Sequence, residues 1–406
     1  MQGTELEQCV NSSVCLPQKP KLVVGLRGST ANIFAGNVAY RDFLFNTFQV
    51  SSVDMESAAV VMTSKSNGYP VIVIRGLSDG AGGLPGQNSI DIFGPLAAVN
   101  AAKAVIQFLN QTMARAQAIP CLMGVLVLNL LISSLVFPLS ATPLKRRKSL
   151  NTIRYLNRKG PYLGLITVYP PEEKAFFATK AFKLDPIHPF VDLTGRRFRV
   201  GKLHGKKVIY VRCGVGMMNA AATTQQMLDL FDIAGIVHFG IAGNVNNSMS
   251  IGDVTIPKQF AHTGIWDWLK LNGTLGTNDV ADLNIGSYNG MELEQCVNSS
   301  VCLPQKPKLV VGLRGSTANI FVDNAAYRDF LFNTFQVSSV DMESAAVVMT
   351  SKSNGYPVIV IRGLSDLAGG QQRQNSIDIF GPLAALNAAK AVIQFVKNYH
   401  KMPSQF

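Results

Sequence analysis

The sequence predicts an α/β domain in which a largely parallel sheet is covered by helices on both faces. Several short runs are apolar throughout rather than alternating, notably residues 163–168, 235–239 and 358–362, the composition of strands buried on both sides. Segments with apolar residues at helical spacing separate them, at 218–231, 338–352 and 376–397. Glycine-bearing segments follow the runs, at Cys213-Gly214-Val215-Gly216 and Gly240-Ile241-Ala242-Gly243. Sheets of this class bind ligands beyond the carboxyl ends of their strands.

In chain order, the run 163–168 ends at Pro170-Pro171 and reads as a buried first strand. Glu172 and Glu173 come next, where carboxylates suit the positive end of a helix. Residues 198–200 and 207–212 flank His204-Gly205, a hairpin signal. The glycine loop 213–216 feeds the helix 218–231, and 235–239 is a strand expected to stop at Gly240. His238 reads there as a satisfied strand histidine rather than a base. Residues 254–256 and 308–313 are further short strands. The amphipathic helix 338–352 has serines and Asp341 near its start and Asn354-Gly355 at its close. Pro357 leads into the strand 358–362, and 376–397 supplies the last helix. Chemistry-capable residues sit at three strand ends: Glu172 and Glu173, the stretch 240–243, and Ser365-Asp366.

Two anomalies set the domain organisation. Residues 5–34 are identical to 292–321, and 40–79 to 327–366, at one offset of 287. Only two copies exist, so this is no solenoid repeat but a duplicated part of one larger domain. Between the copies, residues 116–144 carry no charge, a length that could cross a bilayer. Met113 and Arg115, the apolar core and the small residues after Pro138 follow the order of a secretory signal. The expected division is a partial duplicate of the C-terminal half over 1–112, an internal signal-like segment over 113–141, and the main domain over 142–406. Secretion to an extracellular or vacuolar destination follows if the signal is cut, and membrane anchoring if it is not.

The net charge of +12 invites a nucleic-acid reading. Its one dense run, Lys145-Arg146-Arg147-Lys148, has no interleaved aromatic residues, which argues against one. Cys296 and Cys302, repeated upstream as Cys9 and Cys15, have C-x5-C spacing that fits no common zinc site. They form a local disulfide if the chain is secreted, or two buried thiols otherwise. No metal or cofactor is expected. Glycosylation sequons at Asn246, Asn272 and Asn298, and upstream at Asn11 and Asn110, fit secretion.

Four segments in order carry a resemblance: 213–221, 238–243 with 251–254, Val340-Asp341-Met342-Glu343-Ser344-Ala345-Ala346, and 360–366 ending in Ser365-Asp366. Together the chain from about 162 onward resembles the nucleoside phosphorylase and methylthioadenosine nucleosidase superfamily, and within it the plant bark and vegetative storage proteins. The resemblance implies a nucleoside phosphorylase-like three-layer domain with a mixed, mostly parallel sheet flanked by helices. It implies cleavage of a ribosyl N-glycosidic bond, with a small-molecule nucleoside as partner and a homo-oligomeric state. Asp366 matches the acid that shares a proton with the purine, Glu343 the ribose-binding carboxylate, and Met342 a side chain packed on the sugar. Glu172 matches the water-activating glutamate of the hydrolytic branch. Gly240, Gly243, Phe321 and Ser365 fall at substrate-binding positions.

The sequence departs from that pattern in places. Ile241 stands where many members place a small hydroxyl residue, and no arginine is recognisable as a phosphate ligand, so hydrolysis is favoured over phosphorolysis with phosphate as second partner. The domain looks shortened near 270–292. The upstream copy has Glu56 and Asp79 but nothing like Glu172 or the glycine loops, so it builds no complete site alone. Two classes of function stand: an enzyme acting on purine or 5′-thio nucleosides, and a nitrogen-storage protein keeping the fold with little or no catalysis.

Overall fold

The computed structural model describes residues 5–66, 69–82, 90–133, 142–193, 195–264, 266–267, 277–279, 291–369 and 377–399; at 66 and over 113–133, 142–147, 266–267 and 277–279 only the backbone course is described. The chain divides into two units, one holding residues 1–143 with 266–272, the other 144–265 with 273–406.

The second unit is built around the strand Ile233–Asn244. Tyr162–Thr167 runs parallel along one edge of it and Val358–Leu367 parallel along the other. Lys206–Arg212 extends the sheet in parallel beyond Tyr162–Thr167, and Arg196–Leu203 turns back antiparallel through the expected hairpin. At that turn His204 and Gly205 both take positive φ, as a tight right-twisting hairpin requires. On the far side Val254–Ile256 pairs antiparallel with Val358–Leu367 and parallel with Leu309–Val311. The sheet is therefore mixed, parallel at its centre and antiparallel towards its margins.

Alternate residues of the central strands point to two separate cores, which is why their sequences are apolar throughout. Ile236, Val358, Val360, Ile209 and Val211 join one cluster with Met217, Ala220, Met227, Val347 and Val348 from the helices Met217–Leu230 and Ser344–Ser353. Val237, Phe239, Ile359, Ile361, Val208 and Tyr210 join the other, with Phe176 and Ala388, Val392 and Phe395 from Pro170–Ala178 and Ile377–Asn398. Helix, sheet and helix make the three layers.

The structure corrects three boundaries. The central strand does not stop at Gly240 but runs to Asn244. Gly240 and Gly243 mark close approach inside the sheet rather than a turn: a Cβ on Gly243 would lie 2.9 Å from the Ala368 Cβ. The strand beginning at Val358 likewise continues past Arg362 to Leu367. The helix expected over 338–352 begins only at Ser344, because Ser339–Asp341 is a short buried strand. It pairs antiparallel with Gly243–Asn244 and parallel with Arg314–Thr317. Asp341 caps the helix from outside, its Oδ1 accepting the backbone N–H of Glu343 at 3.1 Å and of Ser344 at 2.8 Å.

In the first unit the duplicated residues form Arg27–Thr30 parallel to Val50–Asp54, with helices Val38–Phe48 and Ser57–Ser66. Residues 71–80, identical to the Val358–Leu367 strand up to Asp79, form no strand. The helix Ile90–Ser133 runs on through most of the apolar segment. Residues 134–141, and nearly all of the span expected to be shortened, lie outside the described residues. The stretch Ile90–Thr112 of that helix and the helix Ile377–Asn398 are long and apolar enough to cross a membrane by length and composition, but the second is a core helix here. Cys296 and Cys302 are joined by a disulfide, as are Cys9 and Cys15, and both downstream cysteines are exposed rather than buried thiols.

Candidate active site

The last third of the Ile233–Asn244 strand is where the candidate residues meet. Glu172 reaches it from the first turn of Pro170–Ala178 and is 2% exposed. Its Oε2 accepts the backbone N–H groups of Val168 at 2.7 Å and Tyr169 at 3.2 Å, and its Oε1 accepts that of Ile241 at 2.8 Å. Burial raises its pKa, opposed by the Arg362 charge and by those N–H donors. Gly240 makes the approach feasible, since a Cβ there would sit 2.0 Å from Oε1 of Glu172 and 2.7 Å from Nη1 of Arg362.

Arg362 is the centre of the cluster and was not singled out from sequence. It is fully buried and faces Gly240 in the strand register. Its Nε donates to Asp341 Oδ2 at 3.1 Å, its Nη2 to Ser344 Oγ at 2.9 Å, and its Nη2 lies 3.9 Å from Glu343 Oε2. The available signal was a charge inside an otherwise apolar strand, which can be buried only if paired. Burial disfavours the guanidinium charge, but Asp341, Glu172 and Glu343 outweigh it and raise the pKa. In return, Asp341 stays below the usual carboxylate range: burial opposes its ionisation, and Arg362 with the Ser344 and Thr317 hydroxyls overcomes that.

Glu343 is 5% exposed, not a solvated helix residue. Its Oε1 accepts the backbone N–H of Gly216 at 2.7 Å, while Met217 N–H donates to Asn319 Oδ1 at 2.9 Å. The start of the Met217–Leu230 helix thus directs its first donors at side chains from the downstream half. Burial raises the Glu343 pKa to about 7, against the pull of Arg362 and with Asp341 and Glu172 adding to the rise. One guanidinium cannot hold three neighbouring carboxylates ionised equally: Asp341 is favoured, and Glu172 and Glu343 both bear the difference.

Asp366 pairs in register with Gly243, three residues along from Gly240 and so roughly 10 Å away at ordinary strand rise. It is 2% exposed, and the Ser365 hydroxyl lies 2.5 Å from its Oδ1 and 3.2 Å from the Ala242 carbonyl. Burial raises the Asp366 pKa, with Asp323 adding to it and Ser365 opposing it. A protonated Asp366 would donate to Ser365 Oγ while Ser365 donates to Ala242, leaving every group satisfied. Met342 is half-buried beside Glu343, and Phe321 is 56% exposed in the loop after Arg314–Thr317. Glu172, Glu343 and Arg362 are thus brought together, Ser365 and Asp366 sit farther along the strand that holds Arg362, and Phe321 lies at the surface.

A model of the phosphorylase superfamily matches residues 4–110 and 162–397, well over half of the chain. The chain belongs to the phosphorylase superfamily. Among members of this superfamily, it is 31% identical over 279 residues to bark storage protein A of Populus deltoides, spanning 58% of this chain and 88% of that protein. It is 28% identical over 209 residues to a 5'-methylthioadenosine/S-adenosylhomocysteine nucleosidase of Listeria innocua, spanning 51% and 88%. The fold is also that of the nucleosidase of this type from Colwellia psychrerythraea, solved in complex with adenine, with a TM-score of 0.50 and 23% identity over 60% of this chain and 98% of that one.

Proposed function

We propose that the second unit hydrolyses the ribosyl N-glycosidic bond of a purine or 5′-thio nucleoside. The observation that carries this reading is the set of buried carboxyl groups with raised pKa, Glu172 and Glu343 at two helix starts and Asp366 on the strand Val358–Leu367, around the end of the central strand of a phosphorylase-superfamily sheet. Asp366, whose burial raises its pKa and so favours the proton-bearing form, gives its proton to the purine as the bond to the sugar breaks; such acid catalysis contributes roughly 10²–10⁴-fold. Ionised Glu343 binds the ribose hydroxyls and stabilises the cationic sugar, with Met342 against it. Glu172 takes a proton from the water whose oxygen bonds to the anomeric carbon. The leaving base carries the Asp366 proton, so the charges balance.

Hydrolysis is favoured over phosphorolysis because donors an oxyanion would use are already taken. Gly216 N–H serves Glu343, Met217 N–H serves Asn319, and Ile241 N–H serves Glu172. A storage role is the second reading, supported by the identity to the bark storage protein and by Ile241. The test is incubation of the purified chain with adenosine, inosine and methylthioadenosine, with and without phosphate. Release of free base that needs no phosphate and disappears in Asp366→Asn supports the proposal. Release that survives the substitution rejects Asp366 as the acid, and no release from any substrate favours storage.

The domain reading belongs to the same proposal. Residues 142–406 form the working domain, 113–141 act as a secretory signal, and 1–112 are the remnant of a tandem neighbour. The 279-residue alignment takes in 58% of 406 residues, about 235, so part of the relative has no counterpart here. That supports the expected shortening near 270–292. A product of the full 43.8 kDa that retains Met1 in the native tissue would reject the fusion reading. Assembly as a homo-oligomer and delivery to the vacuole or cell exterior complete the proposal, checked by ultracentrifugation and by fractionation.

A further inference from the structure

His238 is fully buried on the central strand and reaches the site through Arg362. Its Nδ1 lies 3.0 Å from the Ile166 carbonyl oxygen, and its Nε2 lies 2.6 Å from Nη2 of Arg362. A carbonyl only accepts and a guanidinium only donates, so one tautomer satisfies both neighbours. Nδ1 carries the proton and donates to Ile166, and Nε2 accepts from Arg362. A protonated ring would turn a donor towards a donor inside the core. Burial and the Arg362 charge both depress the His238 pKa, in agreement with a ring that stays neutral.

The consequence lies on the other side of the guanidinium. Arg362 Nε is committed to Asp341 and Ser344, and Nη2 to His238 and Ser344. Nη1 is buried with no partner among the described residues, and it borders the same point over Gly240 as Oε1 of Glu172. With two nitrogens of a planar fork fixed, the third has no freedom left. We propose that His238 is a positioning residue, a neutral acceptor that locks Arg362 so that Nη1 is held beside Glu172 Oε1 over Gly240. This role rests on the nucleosidase reading for its kinetic consequence but not for its geometry.

Two measurements on the full chain test it separately. Long-range proton–nitrogen spectra of the ¹⁵N-histidine-labelled protein, with His238→Gln assigning the signal, should give a neutral ring protonated at Nδ1 between about pH 5 and 8. A ring protonated at Nε2, or one that titrates in that range, overturns the proposal even if no nucleoside is cleaved. In kinetics, His238→Phe should lower kcat about 10- to 100-fold with KM within about twofold, the scale of one hydrogen bond to a charged group. The acid limb of its kcat/KM profile, set by Glu343 together with Glu172, should move to higher pH, because a misdirected Arg362 holds both ionised less well. His238→Gln, which can accept from Arg362 and donate to Ile166, should recover most of the lost rate. Folded His238→Phe with wild-type kcat and an unmoved acid limb would overturn the proposal while leaving the nucleosidase reading intact. Absence of cleavage by the wild-type chain would instead defeat that reading, and the spectra would then decide the geometry.

Discussion

Glu343 Oε1 accepts the backbone N–H of Gly216 at 2.7 Å across 127 residues of sequence, so the downstream half of the domain closes the glycine loop of the upstream half. That contact makes the protonation state of Glu343 a property of the whole fold. Its folded pKa of about 7 lies above the ordinary 4.5 because burial disfavours the charge.

Activity and stability should therefore respond to pH in opposite directions. Ionised Glu343 is needed at the sugar, so kcat/KM should rise with an acid limb near pH 7, and Glu343→Gln should lower kcat/KM and take that limb away, leaving the one that Glu172 sets. For stability, the folded state holds the proton more tightly than the unfolded state between about pH 4.5 and 7. The Glu343 contribution is then fully present below the unfolded value and lost as pH rises through about 7, by a few kcal/mol. Urea unfolding of wild type and Glu343→Gln across that range checks the sign. A wild-type slope that Gln leaves unchanged would assign the effect elsewhere.

Gly240→Ala should be damaging although it adds one methyl group. The new Cβ would fall 2.0 Å from Glu172 Oε1 and 2.7 Å from Arg362 Nη1, and Glu172 is pinned by three backbone donors. The carboxylate and guanidinium must shift together, costing about 1–3 kcal/mol of stability as overpacking. A displacement near 1 Å at the reacting groups costs on the order of 100-fold in rate. Steady-state kinetics beside thermal unfolding tests this, and a variant with wild-type rate would mean the Gly240 contact is not part of the catalytic arrangement.

The duplicated segment separates what the sequence encodes locally from what the fold adds. Thr30 donates to Asp54 at 2.7 Å just as Thr317 donates to Asp341 at 2.7 Å, and Arg75 pairs with Asp54 and Glu56 as Arg362 does with Asp341 and Glu343. That network is written in the local sequence and forms twice. Burial is not: Ile72 is 54% exposed where Ile359 is fully buried, and Leu77 is 70% exposed where Leu364 is buried. The difference is the cover given by the strands Ile233–Asn244 and Val254–Ile256, which a local reading cannot supply. The layers were legible because apolar runs and helical periods are local. The reach of the central strand and the role of Arg362 were not, since both depend on which side chains from distant segments fill the space over Gly240.

The upstream copy should for the same reason be catalytically silent. Arg75 is half-exposed, and the groups that tune Arg362, namely Glu172 and His238, have no counterpart in residues 5–112. Asp79→Asn and Glu56→Gln should leave kcat/KM within about twofold, whereas Asp366→Asn should lower it at least about 100-fold, the scale of a lost general acid. A rate loss in Asp79→Asn with Asp366 intact would show that the upstream copy completes a site.

Replacement of Arg362 by methionine should be among the most destabilising changes in the second unit, and its cost should depend on pH. The guanidinium is fully buried, and it lowers the pKa of Asp341, Glu172 and Glu343 together. Removing one partner from a buried ionic group costs about 3–5 kcal/mol, because the remaining charge is left uncompensated. Without Arg362 the folded pKa values of Glu172 and Glu343 rise further, so their contribution is lost over a wider range as pH rises. Asp341 stabilises the wild type above its unfolded pKa only because its folded pKa is depressed, and that gain vanishes in the variant. Both effects act in one direction: the gap between wild type and Arg362→Met widens from acid to neutral pH. Denaturant unfolding at about pH 5 and 8 should give the smaller difference at pH 5. An equal difference at both would mean that the carboxylates do not depend on Arg362, and the electrostatic account of the site would fall with it.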